Sequence, residues 1–340
     1  MERRPPTLEE VAIAAGVSRS TASRVINGAV RVAPATQRAV EYAIERLGYV
    51  PNQAARSLVT RRTHSIALII PEDDGRILSD PFLGQAVSGV NNTAADAGIQ
   101  LVLLIGNHAE DRIQRIGQYL RGGHVDGTIV VSHHRDDGLE EVLASTRIPS
   151  YFVGRPIQPQ PGLRYVDVNN VRGAEIATQH LVDRGARRIA TITGPLDMAA
   201  GVDRLEGWRK TVQAAGLPDD LVAHGDFTVG GGSRAMAELL DRDGSIDAVF
   251  AASDQLAAGA LQVLATRGIK VPDQISVVGF DNLGFAQNTI PQLTTVQNPV
   301  KEMATLATEH LLKRIEDPDA EYDSDRIAII EPTFVPGKSA

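Results

Sequence analysis

The chain contains no cysteine. That excludes a disulfide scaffold, thiolate zinc sites, iron–sulfur clusters and a cysteine nucleophile. Long apolar runs are missing as well. The longest, Ile66 to Ile70 and Leu101 to Ile105, are strand-sized, far below the ~20 residues a bilayer-spanning helix requires. Residues 1–30 lack the apolar core of a secretion signal, because Glu9 and Glu10 interrupt the stretch behind the basic start. A soluble, cytoplasmic protein away from membranes is expected. Familiar catalytic signatures are also absent: there is no G-x-x-x-x-G-K-[ST], no H-E-x-x-H and no G-x-S-x-G. Gly230-Gly231-Gly232-Ser233 lacks the lysine and the glycine spacing of a phosphate loop and reads as a flexible entry to a helix. His133-His134 is the only histidine doublet, and adjacent side chains diverge, so no metal site is expected there. Neither a cofactor nor an enzymatic reaction is anticipated.

What is present divides unevenly. The 340 residues, 43% hydrophobic and 22% charged, exceed one ordinary core and predict two or three folding units. The net charge of -8 conceals an asymmetry. Residues 1–62 hold ten arginines against five glutamates and no aspartate, so the other 278 residues carry a net -13. A basic head on an acidic body points to a polyanionic partner for the head alone.

In the head, Thr7-Leu8-Glu9-Glu10 reads as a capping box that opens a helix. Leu8, Val11, Ala12 and Ala15 recur at helical spacing, and Gly16 ends the helix. Ser18 can cap a second helix, Arg19 to Ile26, whose Ala22, Val25 and Ile26 face inward with Val17. Two short helices across a tight turn form a helix-turn-helix. Arg19, Ser20, Ser23 and Arg24 point outward, short donors and arginines suited to base edges and phosphates. Pro34 opens a third helix, Ala35 to Leu47, with an apolar stripe of Ala39, Ala43, Ile44 and Leu47.

The wording of this segment closely resembles the lactose-repressor/galactose-repressor family of bacterial transcription regulators. The resemblance is carried by Thr7-Leu8-x-x-Val11-Ala12-x-x-Ala15-Gly16-Val17-Ser18, Ser23-Arg24-Val25-Ile26-Asn27-Gly28 and Leu47-Gly48-Tyr49-Val50-Pro51-Asn52. It implies that Thr7, Ser18, Arg19, Ser20, Thr21, Ser23, Arg24 and Asn27 meet operator DNA. It further implies a hinge helix from Asn52 in which Ala55 approaches the minor groove and Leu58 wedges into it; packing of Leu58 on the body is the alternative. Two departures stand out: Ala22 where the family usually has Val, and Ala33 where it usually has Ser. The second removes a cap worth ~1 kcal/mol.

From His64 the rhythm changes. Strand-like runs (Ile66–Ile70, Leu101–Ile105, Thr128–Val131, Tyr151–Val153, Ile189–Ile192, Ala248–Ala251, Ile275–Val278) alternate with helical stretches of 12–17 residues. This is βαβ grammar: doubly wound parallel sheets that bind ligands beyond the strand carboxyl ends. Strand-end motifs follow: Thr193-Gly194-Pro195 with Arg204-Leu205-x-Gly207-Trp208-Arg209, Ala252-Ser253-Asp254-x-x-Ala257-x-Gly259, and Val277-Val278-Gly279-Phe280-Asp281-Asn282. These are similar to the two-lobed effector-binding core of the same family, itself like periplasmic sugar-binding proteins.

The fold class implied is thus a small all-α helix-turn-helix head plus an α/β body of two doubly wound parallel-sheet lobes. The expected divisions are 1–50 for the head, 51–63 for the hinge and 64–340 for the body. Lobe one covers about 64–165 and 296–325, and lobe two about 166–293 and 326–340. The resemblance implies that Arg204 clamps effector oxygens and Asp281 accepts from hydroxyls. Ser253 and Asp254 lie at the cleft mouth, with Asp254 alternatively a helix cap. Phe227 and Phe82 form aromatic walls on opposite lobes or belong to the core. His133, Arg155 and Asn169 are further candidates. The stretch from Asp197 to Arg204 resembles actinobacterial regulators responding to cellobiose or related oligosaccharides. A sugar effector, a pseudo-palindromic operator and a homodimer are the implied partners, since no leucine heptads close the chain. A solute receptor for transport shares the body but predicts a secretion signal and no basic head.

Overall fold

The computed structural model describes residues 4, 6–26, 32–50, 62–72, 79–106, 110–135, 137–158, 162–318 and 326–340. Two compact units emerge, 1–63 and 64–340.

In the first unit, helices α1 (Leu8–Ala15), α2 (Arg19–Ile26) and α3 (Pro34–Leu47) surround one small core. The capping box forms: Thr7 Oγ1 accepts from the Glu10 amide at 3.3 Å, and Glu10 accepts from the Thr7 amide at 2.8 Å. Gly16 then ends α1 with φ 66°, a left-handed backbone that glycine adopts without a Cβ clash. Val11, Ala12, Ala22, Val40 and Ala43 are buried together, with Val17, Val25, Ile26, Ile44 and Leu47 packed around them. Val40 takes the central place that the helical stripe assigned to Ala39. Ala33 caps α3 without a side-chain hydrogen bond, the cost anticipated from the missing serine.

The second unit is two-lobed. Strands β1 (Ser65–Ile70), β2 (Gln100–Ile105), β3 (Gly127–Val131), β4 (Ser150–Val153), β5 (Tyr165–Val168) and β11 (Ile327–Ile330) form one parallel sheet in the order β11-β5-β4-β3-β1-β2. Helices α4 (Pro81–Asp96) and α11 (Val300–Glu316) cover one face, burying Leu83, Val90, Met303 and Leu311 against Ile66, Leu68 and Ile129. Helices α5 (Glu110–Arg121) and α6 (Leu139–Thr146) cover the other.

In lobe two, β6 (Ile189–Thr193), β7 (Val222–His224), β8 (Ala248–Ala251) and β9 (Ser276–Val278) form a parallel sheet in the order β7-β6-β8-β9. Helices α7 (Asn170–Asp183) and α8 (Ala199–Ala214) lie on one face around the fully buried Trp208. Helices α9 (Val229–Arg242) and α10 (Asp254–Thr266) lie on the other. A two-stranded antiparallel ribbon joins β10 (Thr295–Gln297) to β12 (Thr333–Val335).

Among the described residues the chain crosses between lobes three times, and the crossings fall a few residues from the expected boundaries. Strand 165–168 ends in the first sheet, and 327–330, expected with lobe two, pairs with it there in register Ile327↔Tyr165. Ile327 and Ile329 are exposed while Ala328 and Ile330 pack on the core, the alternation of an edge strand. The bridges Val278↔Thr294 and Asp281↔Gln297 connect β9 toward the ribbon, so the crossings run beside the strand ends that carry the cleft residues.

Candidate functional site

The carboxyl ends of the two parallel sheets face one another, where ligands of such folds bind. A cavity of about 60 Å³ lies there. Phe82, Asp80 and Ser132 line it from lobe one, and Arg204, Phe227, Ser253 and Asp281 from lobe two.

Arg204, on the second turn of α8, is buried. Its Nε donates to Asn170 at 2.9 Å; its Nη1 donates to the Ala252 carbonyl at 2.6 Å and to Asp281 at 3.1 Å. Phe280 supports the guanidinium from below, 3.7 Å from its ring centroid. That ring has room because residue 173 is glycine, where a Cβ would come within 2.5 Å of it. Asp281 follows β9 with φ 114°, an unusual backbone for a non-glycine residue. It is pinned by amide bonds to Val296 and from Asn298. Burial pushes its carboxyl up, opposed by the Arg204 charge. One carboxylate oxygen, Oδ1, takes the bonds from Arg204 and Asn298. This arrangement presents a fixed cation and a fixed acceptor side by side, the pairing that bridges vicinal hydroxyls.

Phe227 also holds a left-handed backbone, φ 60°, and its ring lies over Gly194, whose Cβ would fall 2.1 Å from the ring. The motif Thr193-Gly194-Pro195 therefore makes room for the aromatic wall. Phe82, in the first turn of α4 behind the Asp80 cap, supplies the facing wall. Ser253 caps α10 by accepting from the Leu256 amide at 3.2 Å.

Four expected site residues sit elsewhere. Asp254 is behind the cavity wall, accepting from Thr295 Oγ1 at 2.6 Å and from the Asn282 amide at 2.8 Å. Burial, with the charge of Asp281, pushes its carboxyl up to about 8. Asn169 is a half-buried helix cap that accepts from Arg172 and donates to Glu331; its neighbour Asn170 is the one that reaches Arg204. His133 is buried within lobe one against Asp137 and Glu140. Burial opposes its charge, but the two carboxylates prevail and raise its pKa. Arg155 ties the lobes by an ion pair to Asp203 at 2.5 Å rather than lining the cavity. Sequence reasoning missed Asp80, Ser132 and Gln255 as lining residues. Gln255 donates to Asp80 across the cleft at 3.2 Å. Asp80 is legible only as a helix cap before Pro81.

In the head, Ser18, Arg19, Ser20 and Arg24 are exposed on one side of α2, with Ser23 and Thr21 half-buried. The Ser18 hydroxyl bonds those of Ser20 and Thr21 at 2.8 Å, and Arg19 pairs with Glu9 at 2.8 Å. Thr7 is engaged in its capping box. Asn27, Asn52, Ala55 and Leu58 lie outside the described residues. Among the described residues no group of three or more His, Asp or Glu is poised to hold a metal, and no helix is long and apolar enough to cross a membrane.

A helix-turn-helix unit followed by a two-lobed α/β body with a cleft at its strand ends defines the class of ligand-responsive DNA-binding regulators. Residues 7–52 match the model of bacterial regulatory proteins of the lacI family, and residues 178–340 match a periplasmic binding protein-like domain. The chain is 46% identical over 323 residues to the HTH-type transcriptional regulator CelR of Thermobifida fusca, covering 93% of this chain and 95% of that protein. It is 36% identical over 316 residues to the ribose operon repressor of Escherichia coli (strain K12), covering 92% and 94%. Among solved structures, the transcriptional regulator CelR–cellobiose complex superposes with TM-score 0.78 at 43% identity, covering 98% of this chain and 100% of that one. The lac repressor dimer bound to operator and the anti-inducer ONPF superposes with TM-score 0.86 at 25% identity, covering 99% of each. The chain belongs to the lacI family of bacterial regulatory proteins, and it is a DNA-binding transcriptional regulator with an effector-binding body.

Proposed function

We propose that this regulator is a cytoplasmic repressor that binds a pseudo-palindromic operator as a homodimer and changes its operator affinity when cellobiose, or a closely related glucoside, enters the cleft. The observation that carries this reading is the Arg204–Asp281 pair held at the floor of a cavity walled by Phe82 and Phe227. A guanidinium and a carboxylate serve adjacent hydroxyls, and the two rings suit the C–H faces of a pyranose. The likeness to CelR of Thermobifida fusca and to the CelR–cellobiose complex supports the choice of sugar. Ser18, Arg19, Ser20, Ser23 and Arg24 would read the operator, with Thr7 and Thr21 toward the phosphates. No catalytic step is needed.

The cavity is small against the roughly 300–1,000 Å³ of typical small-molecule sites. A disaccharide therefore enters only when the lobes part, and entry is coupled to the lobe angle. Calorimetric titration with cellobiose, maltose, lactose and ribose tests the reading. Cellobiose should bind more tightly than the others, and Arg204→Gln should abolish the heat. Absence of binding by every sugar in the panel overturns it.

A further inference from the structure

One constellation on the cleft wall is left over once the effector cavity is described. At the carboxyl end of β3, His133 and His134 each present both ring nitrogens to carboxylates. An ionised carboxylate only accepts hydrogen bonds, so an imidazole facing one through each nitrogen carries both protons and is the cation. The two rings differ in whose carboxylates they meet. His133 meets Asp137 and Glu140, at 2.9 and 3.0 Å, both within lobe one. It packs edge-on to Phe152, and is an internal tie. His134 meets Glu72 behind β1 at 3.2 Å and, across the cleft, Asp197 of the β6–α8 loop at 2.8 Å.

We propose that His134 is an electrostatic latch between the lobes: seated on Glu72 of lobe one, its cation binds Asp197 of lobe two and holds the effector cleft closed. The proposal rests on reading the cleft as the effector site and adds the element that closes it. The latch is wired to the cavity on both sides. Ser132, which lines the cavity, donates to the same Glu72 oxygen at 2.6 Å. Asp197 directly precedes Met198, which lines the cavity from lobe two. A main-chain bond from the Arg135 amide to the Asp197 carbonyl at 2.8 Å aligns the two loops without charge, so at this contact the ion pair supplies the part that responds to protons.

Among the described residues the charged groups on this wall are Glu72, His133, Arg135, Asp137 and Glu140 from lobe one and Asp197 from lobe two. Asp137 and Glu140 are taken by His133, and the Arg135 guanidinium turns to the Leu196 carbonyl at 3.4 Å. Burial opposes the charge of His134, but Glu72 and Asp197 outweigh it and raise the pKa above 6.5. The latch therefore holds while His134 is protonated and is lost as pH rises through that raised value.

The absence of cysteine allows a direct test on the full-length protein. Ala144→Cys on α6 and Lys270→Cys beyond α10 are both exposed, one on each lobe. They would carry spin labels, with labelled chain diluted in unlabelled chain. Distances between the labels are read by pulsed dipolar spectroscopy without any sugar, so the outcome does not depend on the effector's identity. Between about pH 6 and about pH 9 the closed fraction should fall roughly fivefold or more. In Asp197→Asn and in His134→Gln it should be low and flat across the range. Asp197→Asn leaves lobe one untouched, which guards against a folding defect at His134. A distance that ignores pH in the unsubstituted latch overturns the proposal. So does a pH response that survives Asp197→Asn, which would belong to another group such as Asp254.

Discussion

Asp254 lies buried behind the effector cavity, 2% exposed, with its carboxyl pushed up to about 8 by burial and by the charge of Asp281. The folded state thus binds a proton that the unfolded chain, titrating near 3.8, releases earlier. Stability contributed by this proton is complete at low pH and is lost steadily as pH rises from that ordinary value toward about 8. Asn is the natural mimic of the protonated acid. Its oxygen can accept from the Asn282 amide, and its NH₂ can donate to Thr295 Oγ1, so the geometry at 2.8 and 2.6 Å is preserved. At about 1.4 kcal/mol per pH unit, the ceiling on the effect is on the order of 5 kcal/mol. Relaxation and water entry reduce such ceilings, so Asp254→Asn should stabilise lobe two by about 1–3 kcal/mol at about pH 8, by roughly a quarter of that at about pH 5 and by almost nothing below about pH 4. Trp208 is the only tryptophan and is fully buried in lobe two. Its fluorescence during urea unfolding therefore reports this lobe alone. A stability difference that stays constant with pH, or a variant less stable at about pH 8, would contradict a proton held on Asp254 in the folded state.

Asp281→Asn should weaken cellobiose binding roughly 10-fold or more by calorimetry, through loss of the charge-assisted acceptor. It should also flatten the pH dependence of lobe two, because the charge of Asp281 helps push the Asp254 carboxyl up. Gly194→Ala should displace the Phe227 ring, which a Cβ would meet at 2.1 Å, and lower sugar affinity roughly 10-fold; operator affinity in gel shift should be unchanged. Ala33→Ser should add the side-chain cap that α3 lacks and slow hydrogen exchange of the first α3 amides about fivefold, equivalent to ~1 kcal/mol.

Much of this architecture is legible in the sequence because local rules and tertiary packing agree. The capping box at Thr7 and Glu10, the Gly16 stop and the inward Ala22-Val25-Ile26 face all follow from spacing. So do the buried central strands, whose continuous apolar runs mark parallel sheets covered on both faces. Much of the site is legible to within one residue, although Asp80 and Arg155 are not. At three strand ends a doublet or neighbouring pair marks the cleft, and the sequence does not say which member faces it. His134 rather than His133 bridges the lobes, Asn170 rather than Asn169 holds Arg204, and Ser253 rather than Asp254 lines the cavity. Adjacent residues in extended chain point to opposite sides, so a phase error of one residue exchanges a cleft group for a buried or exposed one. The lobe crossings are harder still. Strand 327–330 is a short edge strand that pairs with one about 160 residues earlier, and nothing local announces that partner.

Sugar in the cleft should change the grip of the head on DNA. The most direct test is a gel shift on the gene's own upstream region at fixed salt, with and without cellobiose at a concentration that calorimetry shows to saturate the protein. Specific binding is expected, with a midpoint that moves by roughly 5–150-fold when the sugar is present. An operator affinity that is identical with the cleft occupied and empty would contradict it.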